Sequence, residues 1–172
     1  LKELRIMNTV ISGTVVKFGD NINTDIISPP QYMELPVAEA AKYAMSPVNA
    51  GFAAKADPNT IIAAGSNFGS GSSRETSPLT LKHLGIRVII AKSFARIFYR
   101  NGINVGLVLL ECPRIDDIAD GDQLTVDLKN GRIENIAKAV AYECDRVPEH
   151  IMRLIEQGGL IASLKKRFGV ES

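Results

Sequence analysis

The sequence predicts an α/β fold built on a βαβ unit, and three observations lead there. Residues 60–64 (TIIAA) and 86–91 (IRVIIA) are short, mostly apolar runs of the kind buried on both faces of a parallel sheet. Between them lie a small-residue loop, Gly65 to Ser73, and a helix-like stretch over 74–84. That stretch ends at Gly85, a suitable residue just past a helix C-terminus. Strand, loop, helix and strand in about thirty residues make one crossover unit whose strands run parallel.

The other elements follow from the same rules. Residues 8–18 (NTVISGTVVKF) are rich in Val, Ile and Thr and read as a strand, with a bulge expected at Gly13. A polar run, Gly19 to Asp25, leads to Pro29-Pro30, where regular structure must end. Residues 35–45 suit a short helix with Pro36 in its first turn, and Ser46 to Pro58 reads as a loop. Ser93 is placed to cap a helix over 94–100 that Asn101-Gly102 would stop. A third buried strand is expected at 105–110 (VGLVLL). Residues 123–128 and 132–136 flank a Lys129-Asn130-Gly131 turn and read as a hairpin. Pro148 to Gln157 reads as a helix stopped by Gly158-Gly159, and a short basic segment follows.

Composition narrows the function. Lys and Arg number 20 against 19 Asp and Glu in 172 residues, so the formal charge is +1 and no basic field favours nucleic acid. With 45% hydrophobic and 23% charged residues the chain is globular rather than disordered. No apolar run approaches the roughly 20 residues that cross a bilayer, so no membrane partner is expected. Cys112 and Cys144 form no CxxC pair, which points to a reducing, cytoplasmic setting. Residues 1–172 are expected to form one domain, with 1–7 an extension of little structural role.

The most informative segment is Gly65-Ser66-Asn67-Phe68-Gly69-Ser70-Gly71-Ser72-Ser73-Arg74-Glu75. It sits between a strand and a helix, where ligands bind in open α/β sheets. Glycines let backbone N–H groups approach an anion, and a helix start adds about half a positive charge. No Gly-Lys-[Ser/Thr] follows, so it is not a P-loop, and Arg74 stands where a dinucleotide fingerprint needs a small residue. An arginine there suits a bidentate grip on a carboxylate. Gly19 to Asp25 lacks EF-hand spacing and by itself reads as a turn. His83 and His150 are isolated, and Asp116, Asp117 and Asp120 solvate a loop; no metal site is expected in this chain.

Taken together, Gly19-Asp-Asn-Ile-Asn-Thr-Asp25-Ile-Ile, Gly69-Ser-Gly-Ser-Ser-Arg-Glu75 and Ala91-Lys-Ser-Phe-Ala-Arg-Ile-Phe-Tyr-Arg-Asn101 resemble the aconitase swivel-domain family. Within it they resemble the free-standing small subunits of heteromeric dehydratases. The likeness runs over roughly residues 8–168 and includes Gly158-Gly159-Leu160-Ile161. It implies a three-layer β/β/α swivelling domain and a hydro-lyase that moves a hydroxyl between adjacent carbons of a small hydroxy acid. It also implies a large-subunit partner carrying a [4Fe–4S] cluster, so that this chain alone is inactive.

By the same resemblance Ser72 would be the catalytic base, Ser73 and Arg74 would bind a substrate carboxylate, and Thr24 and Asp25 would line the site. Physical chemistry agrees, since an alkoxide needs the stabilisation that amide hydrogens and a guanidinium supply. The loop Tyr32-Met33-Glu34 would help choose the substrate, and here Met33-Glu34 replaces the Leu-Arg common in members acting on isopropylmalate. Ser70 and Thr76 also depart from the common pattern, where Cys and then His or Gln stand. Isopropylmalate is the leading substrate, a dimethylmalate or homocitrate-type acid the alternative, and a non-catalytic anion-binding module the reading of another class.

Overall fold

The computed structural model describes residues 9–170. The extension expected over residues 1–7 lies outside them. Seven strands, β1 (Val10–Lys17), β2 (Thr60–Ala64), β3 (Val88–Ala91), β4 (Val108–Glu111), β5 (Gln123–Asp127), β6 (Arg132–Asn135) and β7 (Val140–Glu143), form one sheet. Their order is β4-β3-β2-β1-β5-β6-β7. The first four are mutually parallel, and β1 also pairs antiparallel with β5, which starts the β5–β6–β7 meander.

Seven helices connect and cover them: α1 (Thr24–Ile27), α2 (Val37–Ala40), α3 (Phe52–Lys55), α4 (Thr76–His83), α5 (Arg96–Val105), α6 (Glu149–Glu156) and α7 (Leu160–Phe168). Because strand side chains alternate, the parallel strands feed two cores. Ile62, Ala64, Ile89 and Leu109 pack with Leu81, Phe98 and Ile103 of the helices. Ile61, Ala63, Val88 and Ile90 share the other core with Leu124, Val126, Ile133 and Tyr142 of the antiparallel strands. The sheet therefore curls back on itself, which gives the β/β/α layering.

Several local expectations are corrected. There is no bulge at Gly13: the β1–β5 register runs unbroken from Val10 opposite Asp127 to Thr14 opposite Gln123. The glycine serves close approach instead, since a Cβ there would lie 2.1 Å from the Asn59 carbonyl oxygen. Ser93 does not cap α5; its hydroxyl accepts from the Asn67 N–H at 2.8 Å, and α5 starts after Ala95. Nor does Gly102 stop that helix. It lies inside α5, buried against Leu109, and the helix ends at Gly106 with φ 94°. In consequence the strand expected at 105–110, β4, begins at Val108. The loop over 46–58 contains α3, whose Phe52 packs edge-on against Phe18 with centroids 5.5 Å apart. The meander has a third strand, β7, and the basic C-terminal segment is the helix α7.

Candidate active site

The glycine loop leaves the C-terminal end of β2 and is fastened on both sides. On one side it meets the 19–25 segment. The Asn21 N–H donates to the Ser66 carbonyl at 2.8 Å, the Gly69 N–H to Ile22 at 2.7 Å, and the Thr24 N–H to Ser70 at 2.8 Å. The Asp20 carboxylate accepts the Ser66 N–H at 2.6 Å. On the other side it meets the third motif. Phe68 donates to the Ser93 carbonyl and accepts from the Ala95 N–H, bridging in parallel to Phe94. Phe68 is wholly buried, edge-on to both Phe94 and Phe98. Gly69 lies directly on the Phe98 ring: a Cβ there would come within 2.1 Å of its Cγ, and the residue holds φ +82°. Three segments distant in sequence thus form one unit.

The unit positions the side chains singled out above. Asn23 caps α1, accepting the Ile26 N–H at 2.9 Å, which sets Thr24 and Asp25 on the first turn. Thr24 is buried beneath the glycine loop, and its hydroxyl has no hydrogen-bond partner. The Arg74 guanidinium comes to Asp25, Nη1 to Oδ1 2.9 Å, with the arginine side chain 20% exposed and the aspartate 56%. That Nη1 is buried and its N–H groups are not aimed at the carboxylate, so a charged donor is left without a hydrogen bond. Ser72 and Ser73 are exposed on the loop, and the Ser72 carbonyl accepts the Arg74 N–H at 2.8 Å. The helix α4 begins only at Thr76, two residues later than the sequence suggested.

The Tyr32 to Glu34 loop is split by the structure. Tyr32 and Met33 line a small cavity with Ser28, Leu35 and the α4 residues Thr76 and Thr80, immediately after Arg74 and Glu75. The Tyr32 ring stacks on Tyr43, centroids 3.7 Å apart and planes within 7°, which holds the loop. Glu34 is exposed and lines no part of that cavity. One further residue escaped the sequence reading. Ser77 is buried at the start of α4 with its hydroxyl unpartnered, and nothing in an S/T-rich stretch marks it in advance. Thr24, Arg74 and Ser77 carry the three buried polar side-chain atoms without partners among the described residues. Thr24 opens α1, Ser77 lies in the first turn of α4, and the two helices are joined by the Ser28–Thr80 hydroxyl hydrogen bond, 3.1 Å.

The chain's own thiols do not fit an iron–sulfur cluster. Cys112 is buried at the end of β4, and burial pushes its thiol up. Burial and the neighbouring Cys112 push Cys144 up to about 11. Cluster ligation needs thiolates. No group of three or more His, Cys, Asp and Glu able to hold a metal occurs among the described residues. His83 and His150 are exposed and lie apart from the loop unit, Asp116 pairs with Lys92 at 3.2 Å, and Asp120 accepts the Lys17 N–H at 2.8 Å. Among the described residues no helix is long and apolar enough to cross a membrane.

The comparisons with known proteins converge. A family model described as the aconitase C-terminal domain matches residues 8–115. The 3-isopropylmalate dehydratase small subunit of Methanosarcina acetivorans is 46% identical over 157 residues, which are 91% of this chain and 97% of that one. The isopropylmalate/citramalate isomerase small subunit of Methanocaldococcus jannaschii is 45% identical over 163 residues, 94% of this chain and 97% of its own. A crystal structure of 3-isopropylmalate dehydratase from the latter organism superposes with a TM-score of 0.86 at 40% identity, covering 94% of this chain and 96% of that one.

Proposed function

We propose, from the premise that the chain belongs to the aconitase C-terminal-domain family, that it is the small subunit of a heteromeric hydro-lyase interconverting 2- and 3-isopropylmalate in leucine biosynthesis. One observation carries the reading: relatives of that name align over nearly their whole length. The glycine loop keeps Gly69, Gly71, Ser72, Ser73 and Arg74, the residues that carry the resemblance.

The residues divide the work by position. Arg74 and Ser73 hold a substrate carboxylate, the guanidinium offering the buried Nη1 donor that Asp25 leaves unbonded. Asp25 sets its charge beside that guanidinium, and Thr24 supports the loop from below. Ser72, as its alkoxide, takes the proton from the carbon beside a carboxylate and becomes the neutral hydroxyl. That removal places negative charge on carboxylate oxygens, where the cation of Arg74 and the loop amides stabilise it. The large subunit is assigned the [4Fe–4S] cluster, which supplies Lewis acidity toward the departing hydroxide. This chain's share is capture, orientation and proton transfer, in a site completed by the partner.

The substrate's carbon branch is assigned to the Tyr32–Met33 cavity. The Methanocaldococcus relative is named for both isopropylmalate and citramalate, so a methyl-branched acid is the second reading, favoured by the small volume of that cavity. The test is reconstitution with the cognate large subunit under anaerobic conditions and assay of isopropylmalate, citramalate and dimethylmalate. Ser72→Ala is expected to lower kcat by about 10²–10⁴-fold, the usual worth of a positioned acid–base group, with the complex still assembled. Undiminished turnover in that variant would remove Ser72 from the role.

A further inference from the structure

A cavity of about 300 Å³ lies at the edge of the sheet, between β4, α5, α6 and the connection from β7 to α6. β4 ends the strand order, so no further strand closes that side. The floor is apolar: Ile103, Leu109 and Leu110 are buried, and Phe94, Ile151 and Ile155 partly so. Four charged side chains stand exposed at its mouth, Arg96 from α5, Glu111 from the end of β4, and Asp145 and Arg146 from the connection. No residue of the 65–77 segment lines it, so it is separate from the site described above.

Two cations and two carboxylates around one hollow could neutralise each other, yet they are held apart. None of the four makes an ion pair among the described residues. Glu111 accepts only the Phe94 N–H, at 3.4 Å. The side chains of Arg96, Asp145 and Arg146 make no hydrogen bond among the described residues. Tyr99 stands with them: burial, and then the charges of Glu111 and Asp145, push its hydroxyl up, so it remains a donor. The charge pattern selects among occupants. A dicarboxylate would meet like charge at Glu111 and Asp145, and a simple amine would meet it at both guanidiniums. A wholly apolar molecule would strip water from four charged groups and return nothing. A small molecule with one anionic and one cationic end on an apolar body satisfies every group, with an arginine fork suited to its carboxylate.

We propose that this cavity binds a free α-amino acid with an aliphatic side chain, its carboxylate at Arg96 and Arg146, its ammonium at Glu111 and Asp145, and its side chain on Ile103, Leu109 and Ile151. The site does not depend on the dehydratase reading. Phe94 belongs both to this cavity and to the loop unit, edge-on to Phe68 with centroids 6.0 Å apart, so an occupant touching Phe94 lies one ring away from the residue before Gly69.

The test titrates L-leucine into the isotope-labelled full chain and follows its backbone amide resonances, with saturable shifts expected at Phe94, Glu111 and Arg146. The half-ligands 4-methylpentanoate and 3-methylbutylamine each lack one charge and should bind about tenfold or more weakly, the worth of a charge-assisted hydrogen bond. Glycine, which has nothing to lay on the floor, should also bind about tenfold or more weakly. Glu111→Gln with Asp145→Asn should weaken leucine about tenfold or more and leave 4-methylpentanoate as it was, with thermal melts unmoved because both residues are exposed. Arg96→Gln with Arg146→Gln should weaken leucine by a similar factor and spare 3-methylbutylamine. Absence of saturation up to about 10 mM leucine overturns the site. So do shifts confined to residues away from the cavity, or full leucine affinity in both double variants. L-malate bound as tightly as leucine would show that the hollow takes dianions, and glycine bound as tightly would show that the apolar floor is unused; either result refutes the assignment.

Discussion

Replacing Arg74 by lysine keeps the charge and removes the planar fork, so it isolates what geometry contributes. The guanidinium lies 2.9 Å from Asp25, four-fifths of the side chain is covered, and its buried Nη1 has no hydrogen bond. In the role proposed for Arg74, a second donor directed at a substrate carboxylate is what the lysine loses. A charge-assisted hydrogen bond is worth about 1.5–3 kcal/mol, which corresponds to about a 10- to 150-fold fall in kcat/KM. The same substitution should scarcely affect folding, because a pair whose aspartate is more than half exposed contributes about 0–1 kcal/mol. In a chain of this length that moves Tm by no more than about 4 °C. The assay is initial rates of the reconstituted complex across substrate concentrations, with a thermal melt of the free subunit. A kcat/KM within threefold of the unaltered protein refutes the bidentate role. A Tm drop beyond about 4 °C would show that Arg74 acts through folding instead.

Two further outcomes follow from packing and from proton binding. Gly69→Ala puts a methyl group into the Phe98 ring at a left-handed φ of +82°, so overpacking and backbone strain together should cost about 2–5 kcal/mol in denaturant unfolding; an unaltered midpoint would contradict the contact. Cys144, pushed from an ordinary 9.0 up to about 11, should be about 100-fold less thiolate at pH 8 when folded. Its alkylation by iodoacetamide, followed by peptide mass, should slow by that factor relative to the urea-unfolded chain. The raised value also has a stability sign: the contribution is complete below about 9 and is lost as pH rises through about 11. Equal labelling of folded and unfolded chains would show that the thiol is not desolvated.

What the sequence disclosed depends on the range of the forces involved. The β2–α4–β3 unit was legible because its signals are local: two apolar runs and glycines at the turns. The limits of α5 were not. Ser93 and Asn101-Gly102 carry ordinary cap and stop signals, yet Ser93 is engaged by Asn67 and Gly102 is held in the helix by Leu109. Both are contacts between distant segments. The strand β7 was missed since four residues with one buried side chain give no usable period. In the site, Asp25 and Arg74 were each picked out by motif, but their pairing across 49 positions and the orphaned Ser77 hydroxyl exist only once the chain is folded.

The central place of β1 bears on how the chain is made. It is made before both strands that flank it, and the later of the two is distant: Ser12 meets Thr125, 113 residues further on. At about 5–20 residues per second the nascent strand waits roughly 6–23 s with one edge bare. The family match ends at residue 115, before β5, so a fragment cut there would keep that edge open permanently and present a template for aggregation. The meander thus covers the edge of β1 that would otherwise stay open.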